Sequence, residues 1–326
     1  MNIWRAWLGG LRLVGRWPSL VLWVYLTSLA IAAPLAVSMR SALKWSIGGS
    51  LVDEKLRTGF DMVWYGEYTA AAEGLEATFS PSVVGILPML DNFERLLDGS
   101  VWRGQKALVG AGALLLLAWT LFAGGILDRY ANPGEPHSRV RFFSHGGLYF
   151  FRFLRLLLIS LLLYGLLIRG AAEPLHRWVE QATRETTVER TVIAAHASVY
   201  ALVGFLLMLI SAVLDYAKIA MVVEKRHSAV LAFLRGLRFV LTYPASTLGL
   251  YFGLVLGGVL LFAIYAVFAP GAGQATWTAV LLAFLCGQAY LLARLVLKLW
   301  FLSAQTSLFL AHQGSASSGS PVTSQA

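Results

Sequence analysis

LVGAGALLLLAWTLFAGGIL, residues 108–127, carries no charged side chain from end to end. A helix of that length rises about 30 Å, which is the thickness of the hydrocarbon core of a bilayer. The chain around it has the same solvent preference. It is 58% hydrophobic and 13% charged, with a mean hydropathy of +0.68, whereas soluble chains carry about 25% charged residues. Further apolar segments lie at 18–39, 153–168, 196–214, 245–269 and 277–297, which makes six candidate spans. The span at 153–168 is short and needs basic flanks that snorkel.

Charge orients the spans. The connections 40–106 and 169–194 hold 11 Lys and Arg against 13 Asp and Glu, and the rest of the chain holds 15 against 4. The positive-inside rule then places both termini in the cytoplasm of a bacterial inner membrane. The first span has a small-residue stretch, Ala30-Ile31-Ala32, that would suit a signal-peptide cut. The long amino-terminal region and Pro34 favour an uncleaved anchor. The basic balance, with a pI near 9.8, is explained by anionic headgroups at span ends, and no nucleic-acid partner is expected. Cys286 is the only cysteine and lies within an apolar segment, so it allows no disulfide within the chain.

One phrase is written twice. GLRLVGRWP at 10–18 and GLRFVLTYP at 236–244 each end a basic amphipathic stretch and run into a span. Such stretches suit interfacial helices, with Arg toward phosphate, and Pro18 and Pro244 suit the first turn of the following helix. FFSHGGLYFFRFLRLLL, ahead of the third span, is a looser relative without the Pro. The second and fourth spans end in GGILDRYA and AVLDYAKIAMVVEKR, again a related pair. The pattern predicts an all-α integral membrane fold with six transmembrane helices, arranged as three hairpins, each preceded by an amphipathic interfacial helix. Residues 1–311 form one polytopic domain. Within it, 40–106 is an extracytoplasmic insertion whose segment SPSVVGILPMLDNFERLLDGS reads as an amphipathic helix. Residues 297–311 extend the sixth helix, and the uncharged, Ser/Gly-rich tail 312–326 is expected to be disordered.

The run LDYAKIAMVVEKRHSAVLAFLRGLRFVLTYP, residues 214–244, resembles a pattern shared by uncharacterised bacterial polytopic membrane proteins. It is similar to the membrane region attached to some glycerophosphoryl diester phosphodiesterases, and by pattern the likeness extends over about residues 105–312. The resemblance implies a helical membrane region and no activity. The soluble phosphodiesterase domain has no counterpart in these residues, so its hydrolase chemistry does not carry over.

Motifs of chemistry are missing. There is no HExxH, GxxxxGK[ST] or GxSxG, and His137, His145, His176, His196, His227 and His312 fall at no ligand spacing. No catalytic residue, metal or other cofactor is expected. What remains is a charge cluster at the inner leaflet. Asp128, Asp215 and Lys218 lie at span exits; Arg152, Arg155, Arg235 and Arg238 lie on the lead-in segments; and Arg294 and Lys298 share a face of the sixth helix. These two cations either snorkel to headgroups or pair with Asp128 and Asp215. The expected partners are membrane lipids with anionic headgroups at the cytoplasmic face, and a membrane protein. A non-enzymatic accessory or scaffold protein fits best. A permease for a lipid-like or small anionic substrate comes second, and a lipid-modifying enzyme third.

Overall fold

The computed structural model describes residues 3–48, 55, 61–79, 106–136, 138–186, 188–269 and 276–317. Among them there is no strand, and six helices are long and apolar enough to cross a membrane. The chain is an all-α, multi-pass integral membrane protein. Its spans are α2 (Pro18–Ile47), α4 (Lys106–Ala131), α5 (Arg139–Leu167), α7 (Glu189–Val223), α9 (Pro244–Phe268) and α10 (Trp277–Ser317). The other helices are α1 (Ile3–Arg16), α3 (Met62–Ala71), α6 (Glu173–Thr183) and α8 (Ala229–Thr242). Large apolar side chains stay exposed along the spans, Leu162 at 71% and Phe252 at 65% among them. Water would not tolerate such a surface, and lipid does not penalise it.

Both copies of the repeated phrase fold alike. Trp17 alone separates α1 from α2, and Tyr243 alone separates α8 from α9. Pro opens each span, at a position where an α-helix has no use for the missing N–H. The chain bends at the aromatic residue: Tyr243 N–H still donates to Phe239 O at 3.0 Å, and Tyr243 O accepts from Thr247 N at 3.0 Å. The third lead-in differs from expectation. It has no Pro, so nothing interrupts the backbone, and Arg139–Leu167 runs as one helix that absorbs both lead-in and span. This continuity also makes the third span long, where the sequence suggested a short one. Ser138 caps it by accepting a hydrogen bond from Arg141 N at 3.2 Å.

Two further boundaries depart from the sequence reading. After Leu167 the helix does not stop. It winds through a π turn, Ile168–Ala172, directly into α6. Pro174 lies in the first turn of α6 and has no N–H to return to the chain behind it, and a wider turn accommodates that loss. Helix α10 continues beyond His312 to Ser317, so the first part of the expected tail is helical. The predicted amphipathic helix at 80–100 and the rest of the tail lie outside the described residues.

The chain divides into two compact units. One comprises Met1–Leu20, Trp119–Gly257 and Val296–Ala326, and the other Val21–Ala118 and Gly258–Leu295. The first has α7 at its centre: Ala212, Tyr216, Ala217, Ile219, Ala220 and Met221 are wholly buried. In the second, Tyr25 donates to Gln288 Oε1 at 2.8 Å, Tyr265 stacks on Tyr290, and Trp64 donates to Ser46 Oγ at 3.1 Å while stacking on Tyr68.

Candidate functional site

The first unit is held by one kind of contact made three times. In α8, a β-carbon at Gly236 would collide with Val213 O and lie 2.8 Å from Ala217 N, both on α7. In α5, a β-carbon at Gly146 would lie 2.8 Å from Leu121 O on α4, and Gly124 and Gly125 of α4 answer with equally close approaches to His145 and Phe142. In α1, a β-carbon at Gly10 would lie 2.9 Å from Ala304 N on α10. Each lead-in helix therefore packs backbone to backbone on the return span of the preceding hairpin. The first lead-in helix, which has no hairpin before it, packs on the last span. Small residues face each other because only they permit this approach. Side chains then fasten the α1 contact: Trp300 Nε1 donates to Trp7 O at 2.8 Å, and Ser303 Oγ donates to Gly10 O at 3.1 Å. The two glycines of the repeated phrase serve this contact, and its arginines, Arg12 and Arg238, stay exposed.

Three carboxylates lie where this packing converges, and each finds its partners within the chain. Asp128 is buried near the end of α4. It accepts from Arg141 Nε at 3.1 Å and Asn132 Nδ2 at 3.0 Å, and His145 Nε2 lies 3.7 Å away. Arg141 also binds Glu135 at 3.0 Å. Asp215, on the central helix, accepts from Lys218 Nζ at 2.9 Å and from the Tyr251 hydroxyl of α9. Buried Gln305 of α10 sits beside that hydroxyl, and Tyr164 and Ser211 share a hydrogen bond of 2.8 Å nearby on α5 and α7. Unpaired ions in such surroundings would cost several kcal/mol each, so these partners are a condition of folding.

Glu224 caps the C-terminus of α7, and Lys225 follows in the left-handed region at φ 51°. That residue turns the chain back toward α8. Glu224 accepts from Arg226 Nε, from Arg235 Nε at 2.9 Å and from Gln313 Nε2 at 2.8 Å. Burial pushes its carboxyl up, but the hydrogen bonds and charges of Arg226 and Arg235 outweigh burial and hold it below the ordinary carboxylate value.

The cluster expected from sequence is thus distributed over several sites. Asp215 and Lys218 are brought together, as a pair one helical turn apart. Asp128 pairs with Arg141 instead of a cation of the sixth helix. Arg235 belongs to Glu224. Arg152 donates to Arg226 O at 3.4 Å and lies over the Tyr149 ring. Arg155 and Arg238 are exposed. Arg294, in the second unit, lies over Tyr290, while Lys298 Nζ sits 3.6 Å from the centre of the Trp119 ring. Sequence reasoning missed Arg141, Glu224, Arg226 and Tyr251 as participants. VVEKR did place Glu224 and Arg226 two residues apart, but Arg235 comes from the lead-in helix of the next hairpin. Tyr251 reads in sequence as one more apolar span residue.

Among the described residues no three His, Cys, Asp or Glu side chains are grouped to hold a metal. Comparison with known protein families, with curated proteins and with solved structures finds no match to this chain.

Proposed function

We propose that the chain is a non-enzymatic accessory or scaffold protein of the bacterial inner membrane, with both termini cytoplasmic. The observation that carries this reading is the cycle of lead-in helices seated by glycine on return spans, with Asp128, Asp215 and Glu224 all engaged by partners from the same chain. Helices fixed in this way resist the rocking of one hairpin against another that alternating access requires. The carboxylates serve the packing and are not free for acid–base work. The orientation rests on the basic excess outside the connections 40–106 and 169–194, 15 Lys and Arg against 4 Asp and Glu.

A permease for a lipid-like or small anionic substrate is the second reading. It is favoured by one feature, the polar group of Asp215, Lys218, Tyr251, Tyr164 and Ser211 on span helices, since intramembrane ionisable residues commonly mark transport paths. Cysteine accessibility separates the two. Ser211→Cys and Thr247→Cys, each in a Cys286→Ala background, are treated with a membrane-impermeant thiol reagent in right-side-out and inside-out vesicles. A static scaffold leaves each site reactive from one side at most. Reactivity from both sides would favour the permease and overturn the scaffold reading.

A further inference from the structure

The turn between α7 and α8 carries more positive charge than its carboxylate balances. Arg226 and Arg235 both bind Glu224, and Arg152 reaches in from α5 to the carbonyl of Arg226. Two guanidiniums face one carboxylate, and a third, that of Arg152, lies at the backbone beside them. Arginine does not lose its proton in proteins, so titration cannot relieve the excess. Both oxygens of Glu224 are engaged: its Oε1 accepts from both Arg235 and Gln313, and its Oε2 accepts from Arg226. Among the described residues no carboxylate pairs with Arg152.

The donors left over are numerous and reachable. Each guanidinium has five N–H groups, and Arg226 and Arg235 engage Glu224 through Nε, which leaves their terminal nitrogens as further donors. Their side chains are 38% and 32% exposed, enough for a ligand to reach them. The three arginines come from three separate segments: α5, the turn and α8. The turn is set by the left-handed Lys225, and Glu224 fixes two of the guanidinium forks before any ligand arrives. Preorganised forks lose little entropy on binding, and several forks converging on one anion suit the many acceptor oxygens of a phosphate.

We infer that Arg152, Arg226 and Arg235 form a binding site for a phosphate group, carried either by an anionic lipid headgroup or by a free phosphate ion. The site does not depend on the scaffold reading, because a static protein and a permease can both hold a phosphate there. Glu224 is a positioning residue in it, holding the guanidiniums of Arg226 and Arg235 by their Nε atoms.

The test uses the full chain, delipidated in neutral detergent and titrated calorimetrically with short-chain phosphatidylglycerol, with inorganic phosphate and with short-chain phosphatidylcholine. Saturable binding of phosphatidylglycerol or phosphate is expected. A charge-assisted hydrogen bond contributes about 1.5–3 kcal/mol, so Arg152→Gln is expected to weaken binding by about tenfold or more. Arg238→Gln removes the same charge from an exposed position of α8 and is expected to leave affinity unchanged. Mutual competition between phosphatidylglycerol and phosphate assigns the site to phosphate itself, and binding of the lipid alone assigns it to a headgroup. If Arg152→Gln does not fold, Arg226→Gln takes its place with the same expectation. No saturable binding of either anion, or wild-type affinity in a folded Arg152→Gln or Arg226→Gln variant, overturns the site.

Discussion

Asp215 lies beside residues of α7 that are wholly buried, and its charge is carried by two donors, the Lys218 ammonium and the Tyr251 hydroxyl. Tyr251→Phe removes one donor and keeps the shape of the ring. Loss of a hydrogen bond to a charged group costs about 1.5–3 kcal/mol, so the midpoint of thermal unfolding in detergent is expected to fall. Asp215→Asn should lower it as well, and the double variant should lose less than the two single losses combined. Strict additivity would mean that hydroxyl and carboxylate are not coupled. Glu224 gives a pH prediction of definite sign. Its folded carboxyl lies below the ordinary value of 4.5, so its contribution to stability is complete above that value. The contribution is lost as pH falls through the lower, folded value. Wild-type protein should therefore lose thermal stability on acidification below the ordinary carboxylate range. Glu224→Gln should show a shallower loss, and an unchanged slope would remove Glu224 from the acid response.

The helices are largely legible in sequence because their signals are local. Twenty-odd apolar residues give a span, and an aromatic followed by Pro gives the break between α1 and α2 and between α8 and α9. The absence of Pro before the third span is visible too, yet its consequence, a lead-in fused to its span, needs the continuous backbone of α5. Partners are not legible, since Arg141 reaches Asp128 across a turn and Tyr251 reaches Asp215 from the next hairpin. Such pairs follow from packing, and periodicity does not encode them. The glycines can be tested in adjacent pairs. A β-carbon at Gly9 or Gly147 would have nothing within 4 Å, while one at the neighbouring Gly10 or Gly146 would meet backbone at 2.9 and 2.8 Å. Gly→Ala in an open helical position gains up to about 1 kcal/mol, whereas overpacking costs about 1–3 kcal/mol. Gly9→Ala and Gly147→Ala should raise the unfolding temperature slightly, and Gly10→Ala and Gly146→Ala should lower it. The same sign within each pair would show that these contacts do not set the helix spacing.

At the scale of the molecule, the first unit is tied together because the same contact repeats, α5 on α4, α8 on α7 and α1 on α10. The last of these brings together residues nearly three hundred positions apart, as in the hydrogen bond from Trp300 to the Trp7 carbonyl. It is also the contact that a simple row of three hairpins would lack. The repeated phrase at 10–18 and 236–244 therefore marks two lead-in helices with the same task, each seating a new hairpin on another span. A photoreactive benzoylphenylalanine in place of Trp7, followed by irradiation of the membrane-embedded full chain and peptide mapping, tests this directly. The ring of Trp7 lies 4.8 Å from that of Trp300, so the cross-link is expected within α10, in the peptide that contains Trp300 and Ala304. The Trp7 ring also abuts Gly253 of α9, so cross-links confined to lipid or to helices other than α9 and α10 would contradict the closed cycle.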